Sequence, residues 1–356
     1  MDSCRLKNSL RPAIFVIFAL LIPNGMTATS QEVSRIIPLP QVEECRMICA
    51  EHGRVYIVDD KDIAVYSFDD GRFLKKIGRV GQGPGEFRIG PGRLIVLEDR
   101  LAVRDMFQVI FFSISGDYLG QVREPAYMGF LPYLPVGKNF VGFPNARRAD
   151  GSFAPATGSI YDGDGKFLKH FYEAVPKGPP VPPPGSGPPS KKRDALMVRE
   201  YVDYVIHEGM IFVADSRRGL SISVFNAGGN LLYGIRHEVD RIEVSKEFRA
   251  SVLNDRKKFK YWDYFNAVFP EFFPAFIGFK IDGGRIYVIT PAQKGGLYEV
   301  IEMDLRGKIL ERGFRFPIKP LFDVPEAFAL QYDIEGGKSL WVEYNEAKEI
   351  YELHVQ

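Results

Sequence analysis

Three aspartates stand at equivalent places in the sequence. Asp59, Asp105 and Asp215 each close a short run of mostly apolar residues that reads as a strand. Carboxylates can serve as general acids or bases, or as ligands of a hard cation. An active site needs a catalytic group only once, whereas aspartate recurs at equivalent positions along this chain. We therefore interpret the three carboxylates as acceptors of hydrogen bonds from the backbone amides of the turns that follow.

The remaining reactive residue types form no catalytic pattern. The chain has five histidines, and most fall beside expected turns or strand ends. We find no Ser–His–Asp order, no paired glutamates and no HExxH helix. The Gly81–Gly85 run could be mistaken for a phosphate-binding loop, but strands follow it and Pro84 removes a donor amide. A tight turn that needs positive φ is the better interpretation. The histidines are His52, His170, His207, His237 and His354.

Two cysteines lie close together near the start of the predicted folded region. On one continuous strand, Cys45 and Cys49 would be about 13 Å apart, too far for a disulfide. A turn between them would permit one, and His52 makes a metal site conceivable. The spacing matches no established zinc pattern. We expect two buried free thiols and predict no metal site.

An internal repeat determines the expected fold. Residues 54–74 read RVYIVD, IAVYSF and DDGRFL, three short strands with an Asp-Gly turn before the last. The same phrase returns in 101–119, 210–232 and 284–310, and weaker copies occupy 140–168 and 339–353. The last copy stops one strand short, and residues 33–39 supply an extra strand. The repeat therefore predicts an all-β, six-bladed β-propeller closed by an N-terminal strand.

These motifs resemble those of NHL-repeat propellers. The Gly-rich linker Ile77–Phe87 is similar to the segment that follows the last strand of a blade in that family. Tyr56–Asp59 and Phe212–Asp215 are similar to its strand-ending phrase. The resemblance implies the propeller fold. It does not choose among the family's roles, which include protein binding, RNA binding and extracellular catalysis.

The first thirty residues have the order of a secretory signal peptide. Arg5, Lys7 and Arg11 precede an apolar run at 13–22, and small residues follow at 28–30. We predict a signal peptide over 1–30, a propeller over 31–356, and export to the periplasm or the extracellular space. Residues 1–30 hold three basic groups and one acidic group, so the totals fall from 46 and 45 to 43 and 44, a net charge of −1. Such a balance excludes an electrostatic surface for nucleic acid. We expect no membrane span and a monomer.

Two insertions interrupt the repeat. Residues 176–193 are rich in proline and glycine, which predicts a flexible loop, with a polyproline ligand as the alternative. Residues 245–270 depart from the strand pattern and predict a helical insertion between blades four and five. Ser245 suits its N-cap. We expect its aromatic residues to pack on the propeller, with a ligand pocket as the alternative.

The long connections should share one face of the disc. Connections between the first and second strands, and between the third and fourth, are short, whereas the long segments fall on the opposite face. Binding usually resides in such loops. The inner strands begin at that face, so their first residues should ring the channel mouth and contact a ligand. These candidate ligand-binding residues are Glu44, Arg46, Arg88, Tyr133, Asp203, Tyr204, Phe276 and Tyr332.

The mixed charges and aromatic rings of this set suit a protein, peptide or carbohydrate ligand. The alternative is that Arg and Asp side chains pair across the channel and fill it. We therefore predict a binding propeller that needs no cofactor and has no catalytic residue. The alternative function is a lactonase-like hydrolase or lyase at the channel mouth, dependent on a divalent cation such as Ca²⁺. A purely structural assembly module is a third possibility.

Overall fold

The computed structural model describes residues 35–126, 131, 133–144, 157–173, 192–256, 262–317 and 332–356. All of them belong to one compact unit, Ser34–Gln356. The predicted signal peptide lies outside the described residues, as does all of the Pro-rich segment except its last two residues. None of the described helices is long and apolar enough to cross a membrane.

Six four-stranded antiparallel sheets form the blades, as the repeat predicts. Blade one contains β2 (Met47–Glu51), β3 (Arg54–Val58), β4 (Ile63–Ser67) and β5 (Phe73–Ile77). Blade two contains β6 (Leu94–Val96), β7 (Arg100–Asp105), β8 (Gln108–Ser113) and β9 (Tyr118–Arg123). Blade three contains β10 (Leu134–Val136), β11 (Asn139–Gly142), β12 (Thr157–Tyr161) and β13 (Phe167–Glu173).

The later blades follow the same order from the innermost to the outermost strand. Blade four contains β15 (Val202–His207), β16 (Met210–Asp215), β17 (Leu220–Asn226) and β18 (Leu231–His237). Blade five contains β20 (Gly278–Asp282), β21 (Arg285–Lys294), β22 (Leu297–Asp304) and β23 (Ile309–Phe316). Blade six contains β24 (Tyr332–Glu335), β25 (Lys338–Asn345), β26 (Ile350–Val355) and, as its outermost strand, β1 (Arg35–Leu39).

The N-terminal strand closes the ring. Strand β1 pairs antiparallel with β26, from Arg35 opposite Val355 to Leu39 opposite Tyr351. Its apolar side chains Ile37 and Leu39 are buried in a core cluster shared with blade one. The first and last described strands therefore pair in one sheet, and the predicted closure is confirmed.

Glycines in the turns between the third and fourth strands of a blade pack closely against the neighbouring blade. A Cβ on Gly307, which has φ +90°, would lie 2.5 Å from Cγ2 of Ile235 on the outer strand of the preceding blade. A Cβ on Gly71 would likewise lie 2.8 Å from Cγ2 of Ile37, where blade six meets blade one. Any larger residue would need a left-handed backbone and would collide with the neighbouring blade. The Asp-Gly-like turns thus set blade spacing as well as hairpin geometry.

The helical insertion is present between blades four and five. Ser245 caps the N-terminus of helix α1 (Lys246–Arg256), and its Oγ accepts a hydrogen bond from the Phe248 amide at 3.1 Å. A 3₁₀ turn (Trp262–Tyr264) and strand β19 (Phe265–Val268) follow, so the insertion is less helical than the sequence suggests. Strand β19 pairs in parallel with β14 (Arg193–Leu196). Phe248 and Phe273 pack edge to face, with ring centroids 4.9 Å apart, against a core cluster of blades five and six.

The two cysteines described by the structure are free thiols, as expected. Cys49 lies in β2, and both cysteines are half-buried. Burial raises the pKa of Cys45 to about 12 and raises the pKa of Cys49 as well. Both sulfurs therefore remain protonated at neutral pH and serve in packing.

Candidate functional site

The disc has two unlike faces. On one, which we call the tight-turn face, the inner strands end in short turns such as 52–53, 283–284 and 336–337. On the other, which we call the loop-rich face, each blade leads into the next; the described connections there include 78–93, 238–256 and 262–277. The two faces therefore offer different surfaces at the two ends of the channel.

At the loop-rich end, an ion pair crosses between blades. Nη2 of Arg93, just before β6, lies 2.9 Å from Oδ2 of Asp203 in β15; the Asp203 side chain is buried, and that of Arg93 is 12% exposed. The Tyr201 hydroxyl donates to the same carboxylate at 3.1 Å, and the Tyr204 amide donates at 2.7 Å. Asp203 is thus paired across the channel, which is the filling role that sequence reasoning held as an alternative.

Five of the eight predicted site residues lie inside the core. Tyr133 is fully buried and stacks on Phe140, with ring centroids 4.8 Å apart. The buried Tyr204 hydroxyl donates to the carbonyl of Val141 at 3.1 Å. Burial also raises the pKa of both tyrosines. The fully buried side chains among the candidates pack between blades, so a ligand at the surface would not meet them in this structure. The five buried residues are Tyr133, Asp203, Tyr204, Phe276 and Tyr332.

The other three candidates, Glu44, Arg46 and Arg88, are exposed on the loop-rich face. Arg46 forms ion pairs with Asp60 and with Glu44, the latter at 3.4 Å. The structure therefore brings Glu44 and Arg46 together. Arg88 lies in the next connection along the chain, and its amide donates to Oδ2 of Asp105 at 2.9 Å.

The recurring aspartates organise the loop-rich face. Asp59 accepts the amide of Asp60 in the turn that follows, as the sequence predicts. The Asp59 carboxylate also accepts hydrogen bonds from the backbone amides of Glu43 and Glu44, at 2.9 and 2.6 Å. These bonds hold the segment that leads into blade one. Asp215 likewise accepts a hydrogen bond from the Arg217 amide at 3.1 Å, and it also binds the Arg217 guanidinium and the Tyr172 hydroxyl, the latter at 2.5 Å. The carboxylates therefore have a structural role in all of these contacts. Their partners other than the amides of the following turn were not predicted from the sequence.

A group of carboxylates that sequence reasoning missed lies at the tight-turn end. Glu51, Asp282 and Glu335 are the last residues of three neighbouring inner strands. Asp282 Oδ2 accepts the Gly337 amide at 3.1 Å, and Glu335 Oε1 accepts the Gly53 amide at 3.2 Å. The signal was present in the sequence, since each carboxylate directly precedes a turn that contains glycine. Only the ring geometry brings them to one mouth.

Burial and mutual repulsion perturb these carboxylates. Burial first, and then the charges of Glu335 and Asp282, raise the pKa of Glu51 to about 7. Burial also raises the pKa of Asp282 and of Glu335. A carboxyl group that titrates near neutrality can donate or accept a proton under physiological conditions. Within the described parts of the chain, no three His, Cys, Asp or Glu side chains converge closely enough to hold a metal ion.

One Ser–His contact exists in blade three, and its geometry is structural. Ser159 Oγ lies 2.9 Å from Nδ1 of His170 and donates its proton to the carbonyl of Thr157 at 2.9 Å. An activated serine would instead give its proton to the imidazole. Ser159 is also fully buried, so its hydroxyl is out of reach of a substrate.

A family model matches part of the chain, and several solved structures are distantly similar to it. No curated protein matches the chain in sequence. Among solved structures, Hsv2 of Kluyveromyces marxianus is similar with 9% identity and a TM-score of 0.36, covering 86% of this chain and 82% of its own. A protein of unknown function from Bacteroides caccae is 13% identical with a TM-score of 0.38, covering 76% and 81%. The chain is a six-bladed β-propeller, and its residues 37–177 match the model of a family described as 6-bladed beta-propeller.

Proposed function

We propose that this protein is a non-enzymatic binding propeller that works outside the cytoplasm and engages a protein, peptide or glycan on its loop-rich face. The observation that carries the proposal is the Arg93–Asp203 ion pair at that end of the channel. Because blades two and four meet there through a paired and hydrogen-bonded network, a ligand binds over the face and not within the channel. The exposed charges of Glu44, Arg46 and Arg88 supply polar contacts on that surface.

The proposed location rests on the sequence of residues 1–30, which has the charged, apolar and small-residue order of a signal peptide. Export is tested by N-terminal sequencing of the mature protein from its native source. A mature chain that begins near residue 31 supports the proposal. A protein that retains residues 1–30 in the cytoplasmic fraction contradicts it.

Face-selective blocking tests the binding role. Glu43→Cys introduces a thiol on the loop-rich face, and Lys338→Cys introduces one on the tight-turn face; both positions are exposed. Each variant is coupled to a polyethylene glycol maleimide, and the native thiols react slowly because burial raises their pKa. The coupled proteins are then screened against a random-peptide display library and a glycan array.

We expect coupling at position 43 to abolish binding to the selected peptides or glycans, and coupling at position 338 to leave it unchanged. The reverse result, or failure of the unmodified protein to select any peptide or glycan, would contradict the proposal. Melting curves of both coupled proteins control for unfolding.

The carboxylates of the tight-turn mouth favour a second candidate, a hydrolase or lyase in which Glu51 exchanges a proton near pH 7. This candidate predicts turnover of lactone or ester substrates that Glu51→Gln abolishes without lowering the melting temperature. Its cation dependence is tested by elemental analysis and by melting curves before and after a chelator. A stoichiometric divalent metal whose removal lowers the melting temperature supports the enzyme, whereas an unchanged curve with no turnover excludes it.

A further inference from the structure

Some exposed apolar side chains repeat with the blades, and others, which include Val80, Tyr264 and Val268 as well as a group on blade two, do not. In β5, β9, β13 and β18 the first two residues are apolar or aromatic and exposed, so this group repeats around the rim with the blades. Ile89, Met106 and Phe107 do not belong to the repeat, and they are 65%, 41% and 52% exposed. A repeated feature reflects the scaffold, whereas an unrepeated apolar group on the loop-rich face indicates a specific contact.

Hydrogen bonds hold these three residues in one place on blade two. Ile89 directly follows Arg88, whose amide donates to Oδ2 of Asp105 at 2.9 Å. Met106 and Phe107 directly follow Asp105 and form the turn between β7 and β8. On the other side of the turn, the Glu124 amide donates to the carbonyl of Phe107 at 2.7 Å. The turn is therefore fixed between two connections of the loop-rich face.

Two arginines flank the apolar residues. Arg88 precedes Ile89, and Arg123 lies opposite Gln108 in the pairing of β8 with β9. Both are exposed, and neither guanidinium has an ion pair or hydrogen bond within the described parts of the chain. Other nearby arginines are engaged: Arg104 lies 2.7 Å from the buried Glu124 carboxylate, and Arg46 pairs with Asp60. The strip thus offers an apolar centre between two positive charges that no carboxylate of the described residues neutralises.

We propose that the blade-two strip, defined as Arg88, Ile89, Met106, Phe107 and Arg123, is the docking surface for a peptide segment of a partner protein that carries carboxylates beside an apolar side chain. Arginine forks bind carboxylates in bidentate geometry, and an aromatic or aliphatic anchor excludes water from the contact. This combination is typical of acidic-motif recognition. The inference rests on the proposed binding function and adds the site and the chemistry of the partner.

The test uses a display library of random linear peptides, selected separately on the wild-type chain and on the double variant Arg88→Glu/Arg123→Glu. We expect the wild type to enrich peptides with Asp or Glu beside Leu, Ile or Phe. The double variant should enrich Lys and Arg in their place. Peptides selected on the wild type should lose about tenfold or more in affinity for Ile89→Asp and for Phe107→Asp.

Leu231→Asp is the matched control. Leu231 is 63% exposed, close to the 65% of Ile89, but lies on the rim in β18. This variant should bind the selected peptides as well as wild type does. Melting curves identify any strip variant that is misfolded, and Ile89→Ser replaces Ile89→Asp in that case.

Three results would overturn the inference. If the selected peptides are not enriched in Asp or Glu, the arginines have no role in recognising the peptide. Peptides that bind equally well to wild type and to Ile89→Asp, yet are blocked by coupling at position 43, would move the site elsewhere on the loop-rich face and leave the proposed function standing. If neither peptides nor glycans bind the wild type, the proposed function fails together with the inference.

Discussion

Arg93 of blade two and the buried Asp203 of blade four form an ion pair, with 2.9 Å between Nη2 and Oδ2. Asp203 Oδ2 also accepts the Tyr201 hydroxyl, so the carboxylate links three side chains where the inner strands begin. Burial raises the pKa of Tyr201 and of the nearby Tyr332. The loop-rich end of the channel is consequently held by polar contacts that depend on one another.

Removing one partner of this pair should be costly. We expect Arg93→Met to lower the free energy of unfolding by about 3–5 kcal/mol, because it leaves the Asp203 carboxylate buried and unpaired. Arg93→Met combined with Asp203→Asn should recover part of the loss. Urea unfolding of the two single variants and the double variant measures the coupling. Additive effects would mean that the two side chains do not interact in solution.

The turn glycines that pack against a neighbouring blade give a second prediction. Gly307→Ala should destabilise the fold by about 2–4 kcal/mol, since it combines a left-handed backbone with a collision against Ile235. Gly295→Ala is the control, because Gly295 has φ +60° and nothing within 4 Å of an added Cβ. It should lose only about 1 kcal/mol. Equal losses in urea unfolding would show that contact between blades four and five does not limit stability.

The carboxylates of the tight-turn mouth predict a dependence on pH. The pKa of Glu51 rises from 4.5 to about 7 on folding, so the folded protein binds the proton more tightly than the unfolded chain. The contribution of Glu51 to stability is therefore full below pH 4.5 and is lost as the pH rises through about 7. Glu51→Gln should leave stability near pH 5 almost unchanged. At pH 8 it should raise stability by about 1–2 kcal/mol after allowance for solvent screening.

Denaturant unfolding of wild type and Glu51→Gln across this pH range measures the effect. The amide keeps the shape of the protonated carboxyl, so packing is matched. Equal stability of the two proteins at pH 8 would place the Glu51 carboxylate in solvent with an ordinary pKa.

Tyr133 predicts opposite effects for two substitutions. Its hydroxyl is buried without a hydrogen-bond partner among the described residues. Tyr133→Phe removes that group and should be neutral or stabilising by up to about 1 kcal/mol. Tyr133→Ala should cost about 3–5 kcal/mol, because it empties the space beside Phe140. Tyr204→Phe is the control for hydroxyl removal, since that hydroxyl donates to Val141 and its loss should destabilise. Thermal melts compare the three variants.

The fold could be predicted from the sequence because each blade repeats the same local signals. Alternating apolar runs such as 54–59 and turns with glycine at positions 71, 116 and 307 specify hairpins without knowledge of distant contacts. The missing strand of the last copy, with an unpaired strand at the N-terminus, predicts ring closure. Structure confirms it in the pairing of β1 with β26. Repetition thus converts local information into a global architecture.

The site could be predicted only in part, because ring closure decides which side chains meet. Glu44, Arg46 and Arg88 are exposed as expected, whereas Tyr133, Phe276 and Tyr332 are buried because neighbouring blades cover their rings. The meeting of Glu51 with Asp282 and Glu335 joins positions that are distant in the chain. The sequence determined the strands, the turns and the closing strand, since these follow from local periodicity. Burial, charge pairing across the channel and the carboxylate mouth were decided by the tertiary structure, since they depend on distances between blades.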